Sequence, residues 1–303
     1  MKFQVTILGS GSALPLPGRH PAAQIIATPS GLILMDCGEG TQFRMRELKV
    51  PFSKVKAICI SHLHGDHYFG LLGLLNTYSL QGREDELCLI GPAGLDVILT
   101  EVLRQTESYF TYPLRFIPTQ TDTPELVLEI DRLRIESFPL LHGVPTTGFK
   151  FVVAAEERKI KKELLSPEMS IEDIKHLKAG QDVYAASGEI KYAVEKYTYS
   201  PDAPKTYIYS SDTAYLPELA TYFKGADLLY HEATFGAGLE ERAMQTFHST
   251  ATQAATLARD SQVKRLLIGH LSSRYKDPQP ILQEAQSIFA ATEYAEEGDT
   301  FVV

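Results

Sequence analysis

Short apolar runs recur along the chain, and several of them end abruptly at a polar residue. Phe3–Leu8, Ala22–Thr28, Leu32–Met35, Val55–Ile60 and Leu87–Ile90 read as strands. Between and after them, Gly38–Leu48, Phe69–Leu80 and Pro92–Gln105 read as helices, the last with Pro and Gly at its start. Around Val127–Ile135 the pattern turns to consecutive strands joined by a tight turn at Asp131-Arg132, and Gly148–Ala154 continues it. Alternation returns with the strands Tyr207–Tyr209 and Leu228–Tyr230, the helix Thr250–Asp260, the strand Leu266–Ile268 and the helix Pro280–Ala290. Strands alternating with helices from end to end predict an α/β fold, with residues 1–303 forming one domain. One stretch breaks the pattern. Glu156 to Pro204 is charged, carries Lys159-Ile160-Lys161-Lys162 and has little regular period. It reads as an insertion of short helices and a hairpin near Gly188, closed by the polar linker Ser200-Pro201-Asp202-Ala203-Pro204.

Composition narrows the setting. The 303 residues are 44% hydrophobic, enough for a sizeable core, and no run of 18 apolar residues predicts a membrane span. The segment Met1-Lys2-Phe3-Gln4-Val5 runs straight into a strand pattern, with no signal-peptide h-region or cleavage site. Cys37, Cys59 and Cys88 lie in or beside apolar runs without CxxC spacing, as small buried hydrophobes in a reducing compartment would. A cytoplasmic location follows as the expectation. A net charge of −9 argues against coating nucleic acid through global charge, while leaving room for a local basic patch and metal ions.

The densest chemistry lies in Ser61-His62-Leu63-His64-Gly65-Asp66-His67-Tyr68-Phe69, directly after the apolar run Val55–Ile60. Unpaired polar groups are costly to bury, so a cluster of this kind is metal-bound or solvated. A loop at the end of a buried strand is held rigidly enough to be a metal site, and the bland reading is a His-rich surface turn. In a helix, residues two apart diverge, but an irregular loop lets His62 and His64 share one ion while Asp66 and His67 face another. Other polar residues also end apolar runs: His142 after Phe138–Leu141, Asp212 after Tyr207–Ser211 and His270 after Leu266–Gly269. Ligands drawn from the same ends of several strands converge in α/β enzymes. His62, His64 and His142 would hold one ion; Asp66, His67 and His270 the other; Asp212 would bridge both. Taken singly, each downstream histidine is as readily a satisfied core residue. Imidazole and carboxylate without thiolate suit Zn²⁺, with Mn²⁺ as the alternative, over Cu(I) or an iron–sulfur cluster. Two such ions, about 3.5–4 Å apart, clamp a displacement at phosphorus or carbonyl carbon.

With these residues in view, the chain resembles the metallo-β-lactamase superfamily, and within it the ribonuclease Z group of tRNA 3′-processing endonucleases. The superfamily likeness rests on His62-Leu63-His64-Gly65-Asp66-His67, His142, Asp212 and His270. The narrower one rests on Gly70-Leu71-Leu72-Gly73-Leu74-Leu75, Gly91-Pro92, His231-Glu232-Ala233-Thr234-Phe235, His248-Ser249-Thr250 and His270-Leu271-Ser272-Ser273-Arg274-Tyr275. It covers nearly the whole chain except Glu156–Pro204. It implies a four-layer αββα sandwich, two Zn²⁺ per chain and a homodimer, for which the apolar helix Leu71–Leu75 is a candidate surface and core burial its competing reading.

The resemblance also implies roles. Asp66 would orient or deprotonate the attacking water, and His248 would protonate the leaving 3′-oxygen with Glu232 holding its other ring nitrogen. Ser249 is alternatively the N-cap of the following helix. Asp36, also at a strand end, would orient a ligand histidine or cap the next helix. Arg274 and Ser272 are candidate phosphate contacts, against a solvated arginine. Gly9-Ser10-Gly11-Ser12 lacks a nucleotide-loop pattern and reads as a close backbone approach to the site floor.

Two departures from the family pattern bear on substrate. The related loop Pro-x-Lys-x-Arg-Asn reads Pro15-Leu16-Pro17-Gly18-Arg19-His20 here: Arg19 is kept, while Pro17 and His20 replace the Lys and Asn. The family's basic, glycine- and proline-tipped arm corresponds to Glu156–Pro204, which lacks that tip. Its first part, Glu156–Lys178, has six Lys/Arg and six Asp/Glu. The leading expectation is a zinc-dependent endoribonuclease that removes the 3′ trailer of precursor tRNA and leaves a 3′-hydroxyl. The alternatives are a phosphodiesterase of the same fold acting on small diesters or other RNA 3′ ends, and a non-catalytic RNA-binding scaffold.

Overall fold

In the computed structural model, which describes residues 2–14 and 16–303, the chain divides into two compact units: Met1–Val153 with Thr206–Val303, and Ala154–Lys205. The first unit is built on two seven-stranded sheets. One comprises β1 (Gln4–Gly9), β2 (Ala23–Thr28), β3 (Gly31–Met35), β4 (Val55–Cys59), β5 (Leu87–Pro92), β6 (Leu114–Thr119) and β18 (Thr300–Val302), in the order β18-β1-β2-β3-β4-β5-β6. The other comprises β7 (Glu125–Ile130), β8 (Leu133–Leu140), β9 (Thr146–Val153), β14 (Lys205–Ser210), β15 (Leu228–Glu232), β16 (Leu266–Gly269) and β17 (Thr292–Tyr294), in the order β17-β16-β15-β14-β9-β8-β7.

Strand periodicity explains the layers. Tyr207 and Tyr209 point from β14 into a core shared with Val5, Ile33, Met35 and Ala57 of the first sheet, while Ile208 between them points to the opposite face. On that opposite face β14–β16 pack against Leu219, Phe223, Ala254 and Ala258 of two helices. The outer face of the first sheet packs against Met45, Leu71, Leu74, Leu75, Leu95 and Leu99. The result is helix, sheet, sheet, helix: the αββα sandwich. Within Leu71–Leu75, Leu71, Leu74 and Leu75 are fully buried in this core and Leu72 packs against it, so core burial and not a dimer surface accounts for them.

Several boundaries differ from expectation. Pro92 ends β5 instead of opening a helix, which starts at Leu95 after the left-handed Gly94. Leu114–Thr119 and the two C-terminal strands are additional elements whose short patterns did not stand out. Ser249 is not a helix cap. Thr250 caps Ala251–Asp260 in a reciprocal box with Gln253, and Ser249 Oγ instead donates to the Thr213 carbonyl at 2.8 Å.

The second unit has its own small core of Met169, Leu177, Val183, Tyr192 and Val194. It holds β10 (Lys159–Ile160) paired with β13 (Thr198–Tyr199), the hairpin β11 (Val183–Tyr184) with β12 (Ile190–Tyr192), and the helix Ile171–Lys178, capped by Ser170.

Candidate metal centre

The parallel register of β3–β4–β5 and of β14–β15–β16 brings their carboxyl ends to one edge of each sheet. Asp36 follows β3, the histidine loop follows β4, His142 follows β8, Asp212 follows β14, Glu232 ends β15 and His270 follows β16. Close backbone packing allows the convergence. A Cβ on Gly38 would strike the carbonyl of Asp66, and one on Gly9 would strike that of Pro21. The segment after Gly9 approaches the site: the backbone N–H of His270 donates to the Ser10 carbonyl at 2.8 Å, and Ser12 lines the cleft. Three of the seven non-glycine residues with left-handed backbone, counted among the described residues, lie here. Asp36 (φ 55°), His270 (φ 59°) and Phe247 (φ 55°) all adopt it, at a cost of about 1–3 kcal/mol each.

All seven predicted ligands come together in two groups that share one residue, His62, His64, His142 and Asp212, and Asp66, His67, Asp212 and His270. In the first group His64 Nδ1 lies 3.1 Å from His62 Nε2 and 3.1 Å from His142 Nε2, with Asp212 Oδ2 3.7 and 3.9 Å from those two Nε2 atoms. In the second, His67 Nε2 is 3.5 Å from Asp66 Oδ2 and 3.5 Å from Asp212 Oδ2; His270 Nε2 is 3.3 Å from Asp66 Oδ2 and 3.4 Å from Asp212 Oδ1. Tetrahedral coordination with arms of about 2.0–2.1 Å has ligand–ligand edges of roughly 3.3 Å, close to most of these spacings.

The other ring nitrogens supply an independent check. His142 Nδ1–H donates to the Phe247 carbonyl at 2.8 Å, His67 Nδ1–H to Asp36 Oδ2 at 2.7 Å, and His270 Nδ1–H to Thr234 Oγ at 3.0 Å, whose own proton goes to the His270 carbonyl. Each bond places the proton on Nδ1 and aims the Nε2 lone pair at the group. His67 Nε2 and Asp212 Oδ1 are buried without a hydrogen-bond partner. Burying such atoms unpaired is unfavourable, so this donor set fits divalent cations. Burial disfavours the charged form of Asp212, but the neighbouring His270 and His67 outweigh it and hold the carboxylate well below the usual range. Burial and the neighbouring His67 hold His62 well below the usual imidazole range, in the neutral form that donates a lone pair.

Glu232 and His248 adjoin these groups. Glu232 is fully buried and accepts four hydrogen bonds: from His248 Nδ1 at 2.9 Å, Ser249 N at 3.0 Å, Thr213 N at 3.2 Å and Thr234 N at 2.9 Å. Burial opposes charge on His248, yet the Glu232 carboxylate outweighs it and raises the imidazole to about 9. His64, Asp66, His142, Asp212, His248 and His270 open into a cleft of about 590 Å³, which Ser12, Leu14, Phe235 and Ser272 also line.

The remaining candidates divide. Ser272 lines the cleft, while the exposed Arg274 lies beside it, its Nε donating to Ser272 Oγ at 3.2 Å and its guanidinium 5.1 Å over the Phe235 ring. Arg19 is not on the lining; its guanidinium donates to the carbonyls of Tyr275 at 2.7 Å and Lys276 at 2.9 Å. Pro15, in the same loop, lies outside the described residues. Asp36 caps no helix, because the following one begins after Gly40 without a side-chain cap. Sequence reasoning assigned no role to Thr234, Tyr209 or Ser211. The signal available for the last two was their place in the run that ends at Asp212.

The chain is similar to known proteins in sequence and in fold. Residues 3–114 match the family described as Anti-Pycsar protein Apyc1. Over 98% of this chain and 97% of the relative, the sequence is 42% identical to Ribonuclease Z of Parabacteroides distasonis. It is 39% identical to Ribonuclease Z of Cytophaga hutchinsonii over 100% of this chain and 97% of that one. Among solved structures, the short form of human tRNase Z superposes with a TM-score of 0.71 at 24% identity, covering 99% of both chains. The metallo-β-lactamase-fold protein YhfI from Bacillus subtilis gives 0.70 at 19% identity, again over 99% of both. These two structures speak to the fold.

Proposed function

The chain belongs to the ribonuclease Z family, and on that premise we propose that it removes the 3′ trailer from precursor tRNA with two Zn²⁺ ions, leaving a 3′-hydroxyl. The observation that carries the reading is the pair of ligand groups sharing Asp212 beside the Glu232–His248 pair, all at one cleft. His62, His64, His142 and Asp212 would hold one ion, and Asp66, His67, Asp212 and His270 the other. When bound, the ions would offset the negative charge that grows on the phosphoryl oxygens during displacement.

The chain's own groups do the rest. Asp66 keeps one oxygen near His67 and His270 and uses the other to orient the attacking water and accept its proton. His248 Nδ1 is committed to Glu232, so Nε2 is the atom that delivers a proton to the departing 3′-oxygen. Charged His248 is the competent form, and Glu232 favours it. Ser272 and Arg274 would meet phosphate at the cleft edge. Arg19 would serve the substrate end indirectly, by anchoring the backbone at Tyr275 and Lys276.

A cytoplasmic setting and a homodimer belong to the same reading. Three buried free thiols suit a reducing compartment, and among the described residues no helix is long and apolar enough to cross a membrane. Phe43 and Phe69, both more than 60% exposed, are apolar surface available to a second copy.

The test is cleavage of a 3′-extended precursor tRNA beside a small chromogenic phosphodiester, each with and without chelator. Chelator-sensitive cleavage directly after the discriminator nucleotide is expected. Diester hydrolysis with an untouched precursor would overturn the tRNA assignment and move the substrate to small diesters.

A further inference from the structure

Ser61 stands between the two ligand groups, fully buried, with its hydroxyl near four polar atoms. Asp36 Oδ2 is at 2.9 Å, Ser211 Oγ at 2.9 Å, His62 Nδ1 at 3.0 Å and His67 Nδ1 at 3.4 Å. A hydroxyl has one proton to give. The Asp36 carboxylate can only accept, so it takes the proton of Ser61. Ser61 Oγ then has two lone pairs, one filled by the Ser211 hydroxyl and the other facing His62 Nδ1. That contact is a hydrogen bond only if His62 carries its proton on Nδ1. The lone pair of His62 is thereby set on Nε2, facing His64 and Asp212.

The same oxygen of Asp36 takes the Nδ1 proton of His67 directly at 2.7 Å, and the Tyr209 hydroxyl donates to it at 2.8 Å. The other oxygen accepts the backbone N–H of Ser61 at 2.8 Å. One buried carboxylate therefore orients a histidine in each group: His67 without an intermediary, His62 only through Ser61. Ser211 and Tyr209 reach this point from the opposite sheet, beside Asp212.

We propose that Ser61 is a positioning residue that couples Asp36 to His62, so that its hydroxyl governs loading of the first ion selectively while Asp36 governs both. The inference rests on the two-ion reading of the site. Removing a hydrogen-bond partner of a metal-ligating histidine weakens metal binding about 10–100-fold. Ser211 acts one step further out, by keeping the proton of Ser61 turned toward Asp36.

The experiment is equilibrium dialysis of the full chain against buffered Zn²⁺, with visible spectra of the Co²⁺-substituted protein and circular dichroism to confirm folding. The wild type is expected to bind two ions. Ser61→Ala should retain one at wild-type affinity and bind the other about 10–100-fold more weakly. Ser61→Thr, which keeps the oxygen, should restore two. Ser211→Ala should weaken the same ion by a smaller factor, and Asp36→Asn should weaken both. Wild-type affinity for both ions in Ser61→Ala, or an equal loss of both ions in that variant, overturns the assignment of Ser61. A wild type that binds no divalent ion would instead overturn the proposed function itself.

Discussion

His248 donates its Nδ1 proton to Glu232 Oε1 across 2.9 Å, and the accepting carboxylate is fully buried. Because that carboxylate raises the pKa of His248, removing it lowers the pKa. A general acid works below its pKa and is lost as pH rises through it. Glu232→Gln should therefore move the alkaline limb of kcat/KM toward acid pH. His248→Ala should abolish that limb and lower kcat roughly 10²–10⁴-fold. Rate profiles over pH with precursor tRNA check both; an unmoved alkaline limb in Glu232→Gln removes His248 from the role of acid.

Asp212 is the one residue common to both ligand groups. Asp212→Ala should bring metal content well below that of His142→Ala, which touches only the first group. Elemental analysis of the purified variants reads this directly. Equal metal content in the two would mean that Asp212 does not bridge.

Metal removal should also be felt as stability. A ligand that binds only the folded state stabilises it by RT ln(1 + [L]/Kd), about 2.7 kcal/mol at a hundredfold excess over Kd. Chelator should lower Tm and abolish cleavage together, and added Zn²⁺ or Mn²⁺ should restore both. A Tm indifferent to chelator would argue that the ligand groups hold no tightly bound ion.

Arg19 binds two successive backbone carbonyls, a geometry that suits a guanidinium and not an ammonium. Arg19→Lys should therefore fail to rescue what Arg19→Ala loses. With one of the two bonds exposed, the loss is on the order of 1 kcal/mol of stability. The Ala variant should raise KM for precursor tRNA while leaving hydrolysis of a small diester nearly unchanged. Steady-state kinetics on the two substrates would show it; equal losses on both would place Arg19 at the chemistry.

Two of the insertion's lysines, Lys159 and Lys161, are engaged within their own unit. Lys159 pairs with Glu156 at 3.1 Å, and Lys161 donates to the Glu195 carbonyl at 3.1 Å and lies 5.3 Å over the Tyr199 ring. Each phosphate contact adds roughly one unit to the salt slope of binding. Replacing Lys159, Lys161 and Lys162 with Gln should change that slope for precursor tRNA by less than about one unit. A larger change in a salt titration would show that these lysines meet phosphate.

The alternation of apolar runs and the polar residues that end them were enough to anticipate an α/β fold and the seven candidate ligands. Both follow from local rules: a buried strand must be apolar, and a ligand loop must be anchored where such a strand stops. His62, His64, Asp66 and His67 also lie close in sequence, so their association hardly depends on topology. The tertiary structure decided what depends on long-range approach. Ser249 was the expected cap by residue type, but the cap falls to Thr250 because Glu232 and Thr213 claim Ser249. Arg19 looked free for substrate until the fold set the carbonyls of Tyr275 and Lys276 beside it. The links among Asp36, Ser61, Tyr209 and Ser211 join residues up to 173 positions apart on two different sheets. Hydrogen bonds of that kind leave no periodicity in a sequence, because they are set by how the two sheets face each other and not by what lies next along the chain.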